Sequence, residues 1–158
     1  MTFWKILWHN QNNIKELQKK KDNLENHILI QNFHHNSQYI NIFFSNNKNI
    51  NLYALEQLCD RVGWVRRPIK KVKTAIENSF LTASLYYNDK QKKELIAFAR
   101  ATSDNTFNAT IWDVVVHPEF QKKGLGKLLI NEVIKQLRSC DINTITLFAD
   151  PQIGRAHV

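Results

Sequence analysis

The sequence predicts an α/β domain with a mixed central sheet flanked by helices. Segments rich in β-branched and aromatic residues, typical of strands, alternate with segments whose apolar residues recur at helical spacing. A pair of glycines lies where a buried strand is expected to turn into a helix. With 158 residues, 43% of them hydrophobic, the chain is long enough to form a single core.

Turn and breaker residues divide the chain from residue 39 onward into nine predicted elements. These are a strand at 39–44, helices at 52–61 and 68–78, a strand at 80–87, a turn at 88–90, strands at 95–101 and 109–116, a helix at 124–139 and a strand at 144–148. Pro68 suits the start of its helix, and the two strands around the turn are expected to form a hairpin. Residues 11–27 are a further, short helix candidate, and no internal repeat is visible.

Two of the four glycines, Gly124 and Gly126, lie where the preceding loop enters helix 124–139. The helix begins there without a Ser, Thr, Asp or Asn cap, so several of its first N–H groups lack side-chain partners. Bare backbone at a helix N-terminus is suited to binding a phosphate. Two better-known phosphate loops do not fit. A P-loop requires Ser or Thr where Leu128 stands, and a dinucleotide fingerprint requires glycine where Leu129 stands.

The motif Gln121-Lys122-Lys123-Gly124-Leu125-Gly126, following Val114-Val115-Val116-His117-Pro118, resembles the acetyl-CoA loop of the GNAT superfamily of N-acetyltransferases. Further segments are similar to its plastid and cyanobacterial branch: Trp64-Val65-Arg66-Arg67-Pro68, Phe98-Ala99-Arg100-Ala101-Thr102-Ser103-Asp104, Ile111-Trp112-Asp113-Val114 and Leu147-Phe148-Ala149-Asp150-Pro151-Gln152. The resemblance covers residues 40–152 and implies the GNAT fold.

The resemblance also implies acetyl-CoA as co-substrate and transfer of its acetyl group to a primary amine in a ternary complex. The amine belongs to a protein lysine, a protein N-terminus or an arylalkylamine such as serotonin. The residues expected around the coenzyme are Val114, Val115 and Val116 beside the pantetheine arm and Lys122, Lys123, Gly124, Leu125, Gly126 and Lys127 around the pyrophosphate. Core packing is the alternative interpretation of the valines, and both can hold because a strand presents its side chains and its backbone separately.

For the catalytic base or amine-orienting group, the resemblance points to Asp150, which follows the last predicted strand; a turn-forming Asp before Pro151 is the alternative. Asp113 beside the coenzyme strand is a second candidate, and a buried structural hydrogen bond is its alternative interpretation. His117 is a third. The tyrosine that serves the family as general acid is replaced by His157.

The domain organisation expected from the resemblance has three parts. Residues 1–37 are expected to form an amino-terminal extension outside this resemblance, with a His34-His35 pair expected to be solvated. Residues 38–152 form the acetyltransferase domain, without its last helix and strands, and residues 153–158 are expected to be a non-native tail. Such a fragment would bind coenzyme weakly or be inactive.

The formal charge of +8 admits two alternatives to an enzyme. The run Arg66, Arg67, Lys70, Lys71 and Lys73 beside Trp64 is compatible with a nucleic-acid-associated protein, although coenzyme A is itself an anion that a basic surface would attract. The other alternative is a regulatory acyl-CoA-binding module that has lost turnover.

Several other classes find no support in the sequence. No stretch of 18 apolar residues is present, which excludes a membrane-spanning helix, and no Cys/His spacing indicates a metal site. Cys59 and Cys140 are expected to be buried thiols in helices rather than a disulfide. The amino terminus lacks the Arg and Ser content of a transit peptide, so synthesis in a plastid stroma, or in the cytoplasm of a cyanobacterium-like source, is expected. The oligomeric state stays open.

Overall fold

The computed structural model describes residues 26–148, which fold around one six-stranded sheet. In chain order the elements are β1 (Asn26–His35), β2 (Gln38–Ser45), α1 (Leu52–Arg61), α2 (Ile69–Glu77), β3 (Leu81–Asp89), β4 (Lys92–Ser103), β5 (Asn108–Val116), a 3-10 turn (Pro118–Phe120), α3 (Leu125–Ser139) and β6 (Thr144–Leu147). The strands are neighbours in sequence order. All pairs are antiparallel except β5 with β6, which is parallel, so the sheet is mixed as predicted.

The helices cover both faces of the sheet. The apolar stripe of α3, which includes Leu129 and Val133, is buried in the larger core cluster together with β2 to β5. Helices α1 and α2 pack on the opposite face, where Leu55 and Leu58 contact Phe98 and Val115. Among the described residues, no helix is long and apolar enough to cross a bilayer.

Local sequence signals set the helix boundaries. The side chain of Asn51 caps α1 by accepting from the N–H groups of Tyr53 and Ala54, each at 3.1 Å. Gly63, with φ 78°, follows the end of α1 in the left-handed conformation that favours glycine. Pro68 precedes α2 because its fixed φ suits a helix start and its missing N–H leaves no donor unpaired.

A β-bulge in β5 separates its two halves. Phe98 pairs with Val115 and Arg100 with Trp112, so two residues of β5, Asp113 and Val114, oppose one residue of β4. Asp113 has φ 54°, a conformation that Asp tolerates better than most residues. The pairing with β6 ends at Ile111. Within the described part of the chain, Val114–Val116 therefore have a strand partner on the β4 side alone.

The predicted elements from residue 39 to 148 are all present, with boundaries shifted by no more than three residues at either end. The predicted first strand is, however, the second one, because β1 precedes it. The helix candidate at 11–27 lies outside the described residues except for Asn26 and His27, which begin β1 instead. The observed architecture therefore agrees with the GNAT fold that the resemblance implies.

Two predictions about burial are wrong. His35 is buried, at 7% exposure, and not solvated, because it lies on the core side of β1; His34 is exposed as predicted. Cys140 is exposed, because it follows the last turn of α3 instead of lying on its apolar face. Cys59 is half-buried in α1, and both thiols are free.

Candidate active site

The loop from Gln121 to Gly124 joins the 3-10 turn after β5 to the start of α3. Lys122 has φ 60° and Gly124 has φ 81°, so two residues of this short turn are in the left-handed region. A Cβ added to Gly124 would meet no atom within 4 Å. The glycine is therefore required here by its backbone conformation and not by lack of space.

The loop and the first turn of α3 present unpaired donors. Gly124 caps α3 without a side-chain hydrogen bond, and the first backbone bond of the helix is donated by Leu128 to the Gly124 carbonyl at 3.1 Å. Within residues 26–148, the backbone N–H groups of residues 122–127 form no hydrogen bond of standard geometry. Such a set of N–H groups at the positive end of a helix macrodipole is an anion site.

The side chains of the loop add positive charge to that site. Lys122, Lys123 and Lys127 are exposed, and none of them forms an ion pair with a described carboxylate. Leu125 and Gly126 are buried and fix the start of the helix against the core. We refer to residues 122–127 as the anion cradle. Its donors and lysines fit a diphosphate.

Three contacts hold the segment that leads into the cradle. The Gln121 side chain donates from Nε2 to the carbonyl oxygen of Val116 at 3.0 Å. The His117 backbone N–H donates to the Ile96 carbonyl at 2.7 Å, which continues the β4–β5 ladder. Phe120, at 2% exposure, is the apolar anchor of the 3-10 turn. The cradle is thus attached to the end of β5 by backbone, amide and ring contacts.

The side chain of His117 is a capping group. Its Nδ1 accepts the backbone N–H of Glu119 at 3.2 Å, and its ring meets Phe120 edge-on at a centroid distance of 5.9 Å. Burial, followed by the charge of Arg61, lowers the pKa of His117 below its ordinary value of 6.5. The neutral imidazole that results keeps Nδ1 free to accept, which is what the cap requires.

The three valines before the turn are all buried, but they face different layers. Val114 and Val116 belong to the core cluster under α3, and Val115 belongs to the cluster under α1 and α2. Their side chains are therefore used in packing. Their backbone, on the side away from β4, is the part that remains for an extended ligand.

Asp113 at the bulge is held by two guanidinium groups. Arg100 donates from Nε to Oδ2 at 2.6 Å, and Arg67 donates from Nη1 to Oδ1 at 3.1 Å. Arg67 reaches the bulge from the connection between α1 and α2, and its guanidinium carbon lies 5.8 Å from the centroid of the Trp64 ring. Both carboxylate oxygens accept charge-assisted hydrogen bonds, an arrangement that fixes the bulge to β4 and to the α1–α2 connection.

Cys59 lies close to this cluster, on the α1 side. Burial raises the pKa of its thiol, an effect that the charge of Arg67 and a hydrogen bond from it only partly offset. A thiol that stays protonated is a poor nucleophile. The described part of this face therefore offers no activated cysteine for an acyl-enzyme.

The sequence singles out residues 122–127 and Asp113 as candidates, but it does not indicate several residues that contact them. Arg67 and Arg100 are 46 and 13 residues from Asp113, and only the folded sheet brings the three together. Phe120 carries no motif signal at all. Asp150 and His157 lie outside the described residues, and no group of three or more potential metal ligands occurs among residues 26–148.

Comparison with known proteins agrees with this geometry. The profile of the acetyltransferase (GNAT) family matches residues 49–157. The uncharacterized N-acetyltransferase ycf52 of Gracilaria tenuistipitata var. liui is 55% identical over 157 residues, which cover 97% of this chain and 86% of that protein. The chloroplastic GCN5-related N-acetyltransferase 2 of Arabidopsis thaliana is 44% identical over 128 residues, 71% of this chain and 50% of that protein.

A solved structure shows the same fold at low sequence identity. An aminoglycoside 6′-N-acetyltransferase in complex with coenzyme A superposes with a TM-score of 0.53 and 19% identity, covering 66% of this chain and 59% of the other. The mixed sheet and the cradle at the start of α3 agree with these matches. The family profile and the similar N-acetyltransferases show that this chain belongs to the GNAT family of acetyltransferases and is an N-acetyltransferase.

Proposed function

We propose that this protein uses acetyl-CoA to acetylate a primary amine, with both substrates bound together. The observation that carries the proposal is the anion cradle of residues 122–127, where free backbone donors and three exposed lysines surround one helix N-terminus. The pyrophosphate of coenzyme A is the part of that molecule that such a site fits. The coenzyme-bound relative of the same fold supports this choice.

Acetyl-CoA would supply the acetyl group as a thioester. The backbone of Val114–Val116, which has a strand partner on the β4 side alone among described residues, would bind the pantetheine arm as an added strand. The Asp113–Arg67–Arg100 cluster would keep the bulge rigid beside the reacting end. Positioning of this kind lowers the barrier because it removes the entropy cost of bringing two substrates together.

We assign proton abstraction from the amine to Asp150, because Asp113 already has both oxygens engaged by arginines. The acceptor would enter from the face covered by α1 and α2, where Arg67 and Trp64 connect the helix pair to the bulge. The acceptor is a lysine ε-amine, a protein α-amine or an arylalkylamine. The chloroplastic plant relative supports a plastid stroma as the compartment; in a cyanobacterium-like source the cytoplasm would take its place.

The experiment is a mass-spectrometric transfer assay. Purified protein and acetyl-CoA are incubated with a lysine-containing peptide, a peptide with a free amino terminus, and serotonin. We expect acetylation of one of the three, at a rate that Asp150→Asn reduces by about 100-fold or more while acetyl-CoA still binds. Binding without transfer to any amine would identify a regulatory acyl-CoA-binding module instead. The absence of both binding and transfer would refute the proposal.

A further inference from the structure

We propose that β1, through Phe33 and His35, is the support that positions the anion cradle for coenzyme. The inference rests on the proposed function and adds positioning residues to it. It concerns a strand that the resemblance to the family did not cover, since that resemblance began only at residue 40.

A bulge in β1 brings these two side chains to the core. Ile30 pairs with Ile42 and Phe33 with Ile40, so two residues of β1 oppose Asn41. Asn32, one of the two, has φ 52°, and its backbone N–H donates to Oδ1 of Asn41 at 3.1 Å. The extra residue shifts the alternation of the strand by one position. Phe33 and His35 therefore turn toward the core while His34 remains exposed.

His35 and Phe33 pack directly on the anchor of the turn before the cradle. The His35 ring stacks on Phe120 with a centroid distance of 4.2 Å and an angle of 25° between planes. The Phe33 ring stacks on Phe120 from further away, at 6.0 Å and 21°. Tyr87 of β3 is a third ring from the sheet near Phe120, at 5.8 Å. Two of the three neighbouring rings from the sheet thus come from β1.

Two further contacts join β1 to residues on either side of Phe120, one to Glu119 and one to Lys123. Nε2 of His35 lies 3.6 Å from Oε2 of Glu119. The ammonium group of Lys123 lies 5.6 Å from the centroid of the Phe33 ring and 5.7 Å from that of Phe120. β1 therefore contacts the turn before the cradle and also a lysine inside it.

His35 contacts Phe120 through the face of its ring, while its Nε2 hydrogen bond joins it to the side chain of the neighbouring Asn36, whose Nδ2 lies 3.1 Å away. The Nδ1 of His35 is buried and has no partner among the described residues. An unpaired buried nitrogen costs stability, and a phenyl ring would avoid that cost while retaining the stacking on Phe120. Loss of the ring would instead leave a cavity beside Phe120, into which the turn can shift.

These contacts lead to a specific expectation for coenzyme binding. A shift of the turn displaces the donors of residues 122–127 relative to one another, and displacements of about 1 Å are enough to weaken a preorganised site severely. Only the phosphate end of the coenzyme would be affected. In the proposed function the pantetheine arm would lie along the backbone of β5, a strand that β1 does not pair with.

The test compares three variants of the full chain. Dissociation constants for acetyl-CoA are measured by isothermal titration calorimetry, and those for acetyl-pantetheine, which lacks the pyrophosphate and adenosine, by ligand-observed NMR. We expect His35→Ala to weaken acetyl-CoA binding about tenfold and to leave acetyl-pantetheine binding within about twofold of wild type. His35→Phe should restore most of the acetyl-CoA affinity. His34→Ala is the matched control, one residue away and exposed, and should bind both ligands as wild type does.

The outcomes separate this inference from the proposed function. A folded His35→Ala with the wild-type acetyl-CoA constant, or with equal losses for both ligands, would overturn the inference alone. If His35→Ala does not fold, the half-buried Phe33 replaces it: Phe33→Ala must then show the selective loss, and an unchanged constant overturns the inference. A wild-type chain that binds no acetyl-CoA overturns the proposed function and this inference together.

Discussion

The carboxylate of Asp113 shows how single residues of this site act through distant partners. It lies in a bulge of β5 and accepts from Arg100 of β4 and from Arg67, which precedes α2. Asp113 and Arg100 retain only 20% and 16% of their side-chain exposure, so their ion pair is largely removed from water. Breaking a pair in such a place leaves a guanidinium without its counter-charge.

We therefore expect Asp113→Asn to lower the free energy of unfolding by about 2–3 kcal/mol. Asp60→Asn is the matched control, because Asp60 also pairs with an arginine, Arg66, whose side chain is 71% exposed. Its loss should lower the free energy of unfolding by clearly less than the loss of Asp113 does, because water screens an exposed pair. Urea denaturation followed by tryptophan fluorescence measures both values. Equal losses in the two variants would show that Asp113 is an ordinary surface partner.

The roles of individual residues were predictable only where they depend on local sequence. Gly124 was identified because a glycine-poor chain places it at a strand-to-helix junction, and the structure gives it φ 81°. The ion pairs of Asp113 join segments far apart in sequence, so no local pattern indicates them. The burial of His35 depends on a bulge beside Asn32, and a bulge changes which side chains face the core without leaving a clear signal.

Among the elements, the helices and the central strands were the most predictable. Asn51 and Pro68 are helix-start signals, and the apolar spacing of α3 gives its length. β1 was missed for a physical reason. Two register shifts interrupt its alternation, and polar residues such as Asn32 and His34 give it the composition of a loop.

The 3-10 turn after β5 carries a pH-dependent contribution to stability. The pKa of His117 is lowered in the folded protein by burial and by the charge of Arg61, so the unfolded chain binds a proton more readily than the folded one. Above the ordinary value of 6.5 both states are neutral and the group makes no difference. As the pH falls through and below that value, the folded state loses stability relative to the unfolded state.

A substitution at His117 tests this sign. His117→Asn keeps an oxygen that can accept the Glu119 N–H but removes the titration. We expect the urea midpoint of wild type to fall more steeply than that of the variant between pH 7 and pH 5, and the two curves to run parallel above pH 7. A wild-type midpoint that rises relative to the variant on acidification would contradict the assigned direction.

At the scale of the whole molecule, the basic residues behind the net charge of +8 differ in whether they form ion pairs. In the basic run, Arg66, Arg67 and Lys73 pair with acids of the same chain. The lysines of the anion cradle have no such partners among the described residues. This distribution favours a phosphate-bearing small ligand at the cradle over a continuous nucleic-acid surface.

The central claim, that the backbone of residues 122–127 binds acetyl-CoA, is tested most directly by one calorimetric comparison. Gly124 and Gly63 both have left-handed φ values, 81° and 78°, and a Cβ added to either would meet no atom within 4 Å. Substitution by alanine should therefore lower the free energy of unfolding by a similar amount at the two positions, about 1–2 kcal/mol.

Acetyl-CoA is titrated into wild type, Gly124→Ala and Gly63→Ala. We predict that wild type and Gly63→Ala bind with the same dissociation constant and that Gly124→Ala binds about tenfold or more weakly. Equal binding by the two variants, or no binding by wild type, would contradict the account.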